Sequence, residues 1–352
     1  MNTTVTPASP SFSIIVRTFA PGWPAALMGT GAFALATLRF SSDIPALAWM
    51  AGALHYFNLA LFVLIAPLWI ARWFIAREAA LATLKHPVAA SFYPTFAVAL
   101  LVLAGQLRAF GGHEELALLV WWAGTVLTYL FAYAVLFAIF QGEQMTLDHV
   151  TPGIFIPPVA LVVIPVAGAP LVAAQPEVLR ELALVLNGIG LGAGALMYFA
   201  LLALAFHRFY LHRPLPAMMA PTVWINLAPL GVMVVSVLNL VAVMPFAGDK
   251  SPYVMAVFML WGFGAFWLVI ALMLTWAARR SAPLPFSLTW WAFTFPLAAF
   301  TLGSQRLADV TGMSIPLGFA WLAWALLAFL WTATLIKTVG GVRSGAVFRP
   351  QG

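Results

Sequence analysis

In the stretch WWAFTFPLAAF, Trp290 to Phe300, two phenylalanines stand close before a proline. Phe293 and Phe295 are two positions apart, so on a helix they point about 200° away from each other. At most one of them can face a central axis. A benzyl ring on such an axis at mid-membrane closes a narrow path without any covalent step, and its rotation opens the path. Ordinary packing of both rings is the competing reading. Pro296 follows, and a proline inside a helix costs about 3 kcal/mol because it lacks an N–H and crowds the preceding turn. It lies 16 residues past Arg280. At 1.5 Å per residue that is at most about 24 Å, which places a bend near the membrane centre.

Groups capable of proton or covalent chemistry are sparse where they would matter. The ten acids are Asp43, Glu78, Glu114, Glu115, Glu143, Asp148, Glu177, Glu181, Asp249 and Asp309, and all fall at segment ends or in loops. A cation path or proton-coupled pump usually keeps a carboxylate inside the membrane. A passive route for an anion needs none, since helix N-termini and freed backbone amides can suffice. Of six histidines only His55 falls well inside an apolar run, so no bis-histidine haem pair is expected. His55 reads as a hydrogen-bonded packing residue. With no cysteine, thiolate metal sites, iron–sulfur clusters and disulfides are excluded. No Walker, dinucleotide or zinc motif occurs. No catalytic residue, metal or cofactor is expected, and the chain does not read as an enzyme. Its basic residues are scattered, which gives nucleic-acid binding no support.

The elements that must position these residues are membrane helices. Of 352 residues, 64% are hydrophobic and 7% charged, against about 25% charged in soluble domains. Period-2 alternation is absent, which disfavours a β-barrel. An all-α polytopic membrane protein follows. Breaks at charged and turn-rich segments give ten spans, at about 18–38, 45–71, 88–107, 116–140, 152–174, 182–206, 219–246, 252–277, 285–305 and 315–338. Short loops pair neighbours as αα-hairpins. Residues 1–16 read as a disordered N-terminal tail, 17–340 as the transmembrane domain and 341–352 as a cytoplasmic C-terminal tail. No cleavable signal peptide is expected. Eleven of the 16 Lys and Arg fall on the side of the termini and five on the other. Both termini are therefore expected in the cytoplasm.

Prolines mark a repeat. Pro24, Pro94, Pro158, Pro229 and Pro296 are separated by 70, 64, 71 and 67 residues and all fall in odd spans. A period near 70 predicts five hairpins, each with one bent and one straighter helix. Bent helices expose backbone groups, so they belong inside, around a pore, with even helices facing lipid. Gly29 and Gly31 in MGTGAFALA are candidates to keep that lumen open, with packing equally possible. Gly190 and Gly194 have the spacing of a close helix contact. Trp290 and Trp291 read as interfacial.

At five places the residues match a pattern in order and spacing: APGWPAALMGTGAFALA, KHPVAASFYPTFAV, HVTPGIFIPPVALV, LAPLGVMVVS and WWAFTFPLAAF. Together these resemble the tellurite-resistance/dicarboxylate transporter family, which includes TehA-like proteins and SLAC-type anion channels. The resemblance spans about residues 20–340. It implies ten helices in a quasi-fivefold ring of hairpins and a pore in each protomer of a homotrimer. It also implies that Phe295 is the ring that occludes the pore. Pro296 departs from the resemblance, in which some TehA-like chains have glycine. The function expected is an anion-selective channel or facilitator of the cytoplasmic membrane, passing small anions such as chloride or nitrate. The alternative is a coupled carrier for dicarboxylate, sulfite or tellurite-related anions, to which Arg306 or Asn226 could contribute.

Overall fold

The computed structural model describes residues 11–142, 146–245 and 248–348. Residues 1–10 of the expected tail, Glu143, Arg349 and the end of the C-terminal tail lie outside them. All regular structure among the described residues is helical. The first half holds α1 (Phe12–Thr18), α2 (Ala25–Arg39), α3 (Leu47–Ile75), α4 (Arg77–Lys85), α5 (Pro94–Gly111) and α6 (Glu114–Gln141). The second holds α7 (Ile156–Gly168), α8 (Glu177–Leu211), α9 (Leu227–Val243), α10 (Ser251–Ser281), α11 (Thr294–Thr311) and α12 (Ser314–Arg343). Residues 12–16, expected in a disordered tail, form most of α1, and α12 runs past 340 into the expected C-terminal tail.

Eight helical segments among the described residues are long and apolar enough to cross a membrane. The expected first and ninth spans fall short of that description. The helix α2 has 15 residues, below the roughly 20 that a bilayer core requires. The other, α11, carries Thr294, Thr301, Ser304, Gln305 and Arg306 among its apolar residues. Both are largely buried, so their hydropathy answers to protein neighbours and not to lipid.

The helices divide by burial. The segments containing α5, α7 and α9 are 78–89% buried, whereas α3, α6, α8, α10 and α12 are 22–33% buried. The short helices touch in sequence: α2 packs on α5, α5 on α7, α7 on α9, α9 on α11, and α11 back on α2. Each long helix packs on the short helix just before it. Glycine permits the closest approaches. A Cβ at Gly190 would lie 2.8 Å from the Leu161 carbonyl oxygen and one at Gly194 2.7 Å from that of Pro158, so this pair seats α8 on α7.

The five period-marking prolines stand at or near the starts of the short helices. Pro94 opens α5, Pro157 and Pro158 stand in the first turn of α7, Pro229 and Pro296 are third in α9 and α11, and Pro24 precedes α2. In four of the five cases a 3-10 segment leads in: 89–92, 152–155, 217–226 and 288–293. The proline therefore marks where tight winding gives way to α-helix within a continuous helical segment. Proline is tolerated there because its fixed φ suits the opening turn of an α-helix.

Tryptophans tie long helices to short ones. Nε1 donates from Trp331 to Thr30 at 3.0 Å, from Trp324 to Thr37 at 2.9 Å, from Trp261 to Ser304 at 2.8 Å and from Trp267 to the Val223 carbonyl at 2.9 Å. In a dry interior an indole N–H must find such a partner. Trp291 belongs to this set and not to an interfacial belt: it is 1% exposed and donates to Thr338 at 3.2 Å.

Candidate functional site

Two cavities lie among the short helices. The wider, of about 260 Å³, is lined by the first turns of all five, at Ala25, Thr95, Ile156, Ala228 and Phe295, with Pro296 beside them. The narrower, of about 40 Å³, is lined further along the same helices by residues such as Leu35, Leu101, Val163, Val232 and Leu302. Among the described residues Phe295 is the one common to both linings.

Local sequence puts it there. The 3-10 segment 288–293 ends at Phe293, and α11 begins at Thr294 with the Thr294 hydroxyl donating back to the Trp291 carbonyl at 2.8 Å. Phe295 is thus the second residue of the helix, and Pro296 fixes the backbone of the turn that carries it. The ring is buried, at 6% exposure.

The remaining predicted residues fall elsewhere. Phe293 lines neither cavity. It is held edge-on between Trp224 and Trp290, with centroids 5.5 and 5.8 Å away. Gly29 and Gly31 are packing glycines that line neither cavity. A Cβ at Gly29 would strike the Thr294 side chain, and one at Gly31 would lie 2.6 Å from Val102 Cγ1 and 2.8 Å from Asn58 Nδ2. Pro24, Pro94, Pro158 and Pro229 border the cavities only through their helices. Asn226 accepts a hydrogen bond from the Tyr198 hydroxyl at 2.9 Å. It lines neither cavity, and nor does Arg306. His55 stacks on Phe110 with centroids 4.6 Å apart.

Electrostatically, neither lining includes Asp, Glu, Lys or Arg among the described residues. The field in the wider cavity comes from backbone. Five α-helices begin around it, and each N-terminus carries a partial positive charge of roughly half a unit. Apolar walls without carboxylates let that field reach an anion undiminished by counter-charge. His86, given no role by the sequence, also borders the wider cavity. Its Nδ1 accepts from the Val88 and Ala89 backbone amides, each at 3.2 Å. The signal was its place just before the proline-marked start of α5, one that is visible only once the chain is folded.

The sequence model of the family described as voltage-dependent anion channel (SLAC1) matches residues 18–340. Two uncharacterized transporters of Methanocaldococcus jannaschii are similar across the chain. One is 43% identical, covering 95% of this chain and 96% of its own. The second is 41% identical, covering 96% and 98%. A sulfite efflux pump of Trichophyton rubrum is 26% identical, covering 84% and 83%.

Proposed function

Starting from the chain's membership of the SLAC1 family of anion channels and transporters, we propose that it is an anion-selective channel or facilitator that passes small anions through a pore in each protomer. In this reading ten crossings form five hairpins in quasi-fivefold order, with α2, α5, α7, α9 and α11 around the path. The prolines at their starts shape its wide mouth, and Phe295 closes it. The protomers assemble as a homotrimer in the cytoplasmic membrane with both termini inside. The observation that carries the reading is that Phe295 borders the wide and the narrow cavity alike. The five helix N-termini about the mouth, and a lining free of carboxylates, support anions over cations.

A coupled exporter is the second reading, favoured by one observation: a curated relative is named a sulfite efflux pump. Proteoliposome flux separates the two. With chloride, nitrate, malate and sulfite gradients imposed in turn, a channel gives flux that follows the anion gradient and ignores an added proton gradient. Saturable flux that requires the proton gradient contradicts the channel reading and supports the carrier.

A further inference from the structure

A groove of about 600 Å³ lies on the outer surface between the end of α8 and the face of α10, floored by residues of the 217–226 segment. Its walls are aromatic and aliphatic. Tyr210 and Phe266, on its two sides, are 81% and 60% exposed, so it opens outward. Along α10 it runs from Phe266 to Ser281. That is about 22 Å of helix, enough to reach from the membrane surface past the middle of a hydrocarbon core about 30 Å thick.

One end of the groove is cationic. Arg208, His212 and Arg213 line it, and Arg279 and Arg280 occupy the last turn of α10 nearby. Arg208 is 3% exposed, and its buried Nε has no hydrogen-bond partner. Its one bond runs from Nη1 to the Arg213 carbonyl at 3.2 Å. Among the described residues Asp148 is the acid at this end, and its Oδ1 is shared by His212 at 2.8 Å and Arg213 at 3.1 Å. Arg72, at the corresponding end of α3, is treated differently. Its Nε is likewise without a partner, but its Nη1 donates to Tyr93 at 3.3 Å and its Nη2 to the Ala79 carbonyl and Thr83 at 3.3 and 2.7 Å. Among the described residues no element plays the part of α4 over Arg208.

A buried guanidinium left short of acceptors favours an anion. An apolar groove of membrane depth favours hydrocarbon. We infer that this groove binds one anionic phospholipid, its phosphate on Arg208 and Arg213 and an acyl chain along α10. One molecule then supplies both the missing acceptors and the apolar cover, which neither a free anion nor a zwitterionic lipid does as well.

Native mass spectrometry of the purified full-length protein in detergent tests this, with dioleoyl-phosphatidylglycerol and dioleoyl-phosphatidylcholine added in equal amounts. One phosphatidylglycerol per chain should be retained at least tenfold over phosphatidylcholine. Arg208→Gln should abolish the preference. Ala278→Trp, a surface change that fills the groove without touching a buried charge, should lower retention of either lipid several-fold. Arg108→Gln, at the far end of the fold, should change nothing. Equal retention of both lipids, displacement of phosphatidylglycerol by millimolar inorganic phosphate, or retention unaffected by Ala278→Trp would each overturn the inference. So would a change of oligomeric mass in Ala278→Trp with lipid retention unchanged, since a second copy of the chain would then be what covers the groove.

Discussion

Gly231 on α9 and Gly303 on α11 face each other so closely that a Cβ added to Gly303 would lie 2.8 Å from the Gly231 carbonyl oxygen. A Cβ at Gly231 would in turn press on the Ala299 carbonyl and lie 2.5 Å from the Phe300 amide nitrogen. Ala299 is one helical turn beyond Phe295, so this backbone contact sets how α11 presents that ring. Rigid backbone on both sides leaves nothing to yield.

Gly231→Ala should therefore cost at least the ~1–3 kcal/mol typical of overpacking and sharply reduce the yield of folded protein. Gly192→Ala is the contrast. It meets nothing within 4 Å, and helix propensity should make it neutral or stabilising by up to ~1 kcal/mol. Thermal melts in detergent, followed by size-exclusion recovery, compare the two.

Phe293 and Phe295 should separate stability from transport. Phe293→Ala leaves a void between Trp224 and Trp290 and should cost ~3–5 kcal/mol, while flux per folded molecule stays at the wild-type level. A melt and a flux assay on the same preparation check both halves.

Ser304→Ala strands the Trp261 indole N–H in a dry interior. Hydrogen bonds of this kind inside membranes average ~0.6 kcal/mol and reach ~1.7 kcal/mol. A double-mutant cycle of Ser304→Ala with Trp261→Phe should return a coupling within that range. Simple additivity would count against the bond.

Asp148 lies in the short 3-10 turn Leu147–His149 before α7, where hydrogen bonds from His212 and Arg213 hold its carboxyl below the usual carboxylate range. A lowered folded-state pKa means that the stabilisation is present above the unfolded value, about 3.9. It is lost as pH falls through the folded value. Asp148→Asn should thus melt lower than wild type at pH 5 to 7, with the gap closing as pH drops below about 4. A gap independent of pH would show that charge is not its source. The pair is exposed, so salt should narrow the gap too.

What could be read from the chain beforehand follows from what each signal reports. Composition and apolar run length report burial in lipid, and they located the long helices well. They misjudge α2 and α11, which are enclosed by protein and need neither full length nor full hydropathy. The proline period near 70 residues is legible because one unit recurs. Sequence alone does not say where in a helix the change falls, since Pro94 or Pro296 reads the same whether it kinks a helix or marks where 3-10 winding becomes α-helix. Trp291 likewise looks interfacial until Thr338 is seen to accept its N–H. Gly231 and Gly303 carried no signal at all, because a glycine in an apolar run does not name its neighbour 72 residues away. The groove beside Arg208 was hidden for the same reason: its walls come from α8, α10 and the segment between.

The central claim is that the Phe295 ring closes a path between the two cavities. Planar-bilayer recording of wild type and Phe295→Ala under a chloride gradient tests it most directly. Removing the ring joins the cavities of about 260 and 40 Å³, and should raise unitary or open-state conductance at least several-fold with anion selectivity kept. Conductance equal to wild type, from protein that melts normally, would contradict the account.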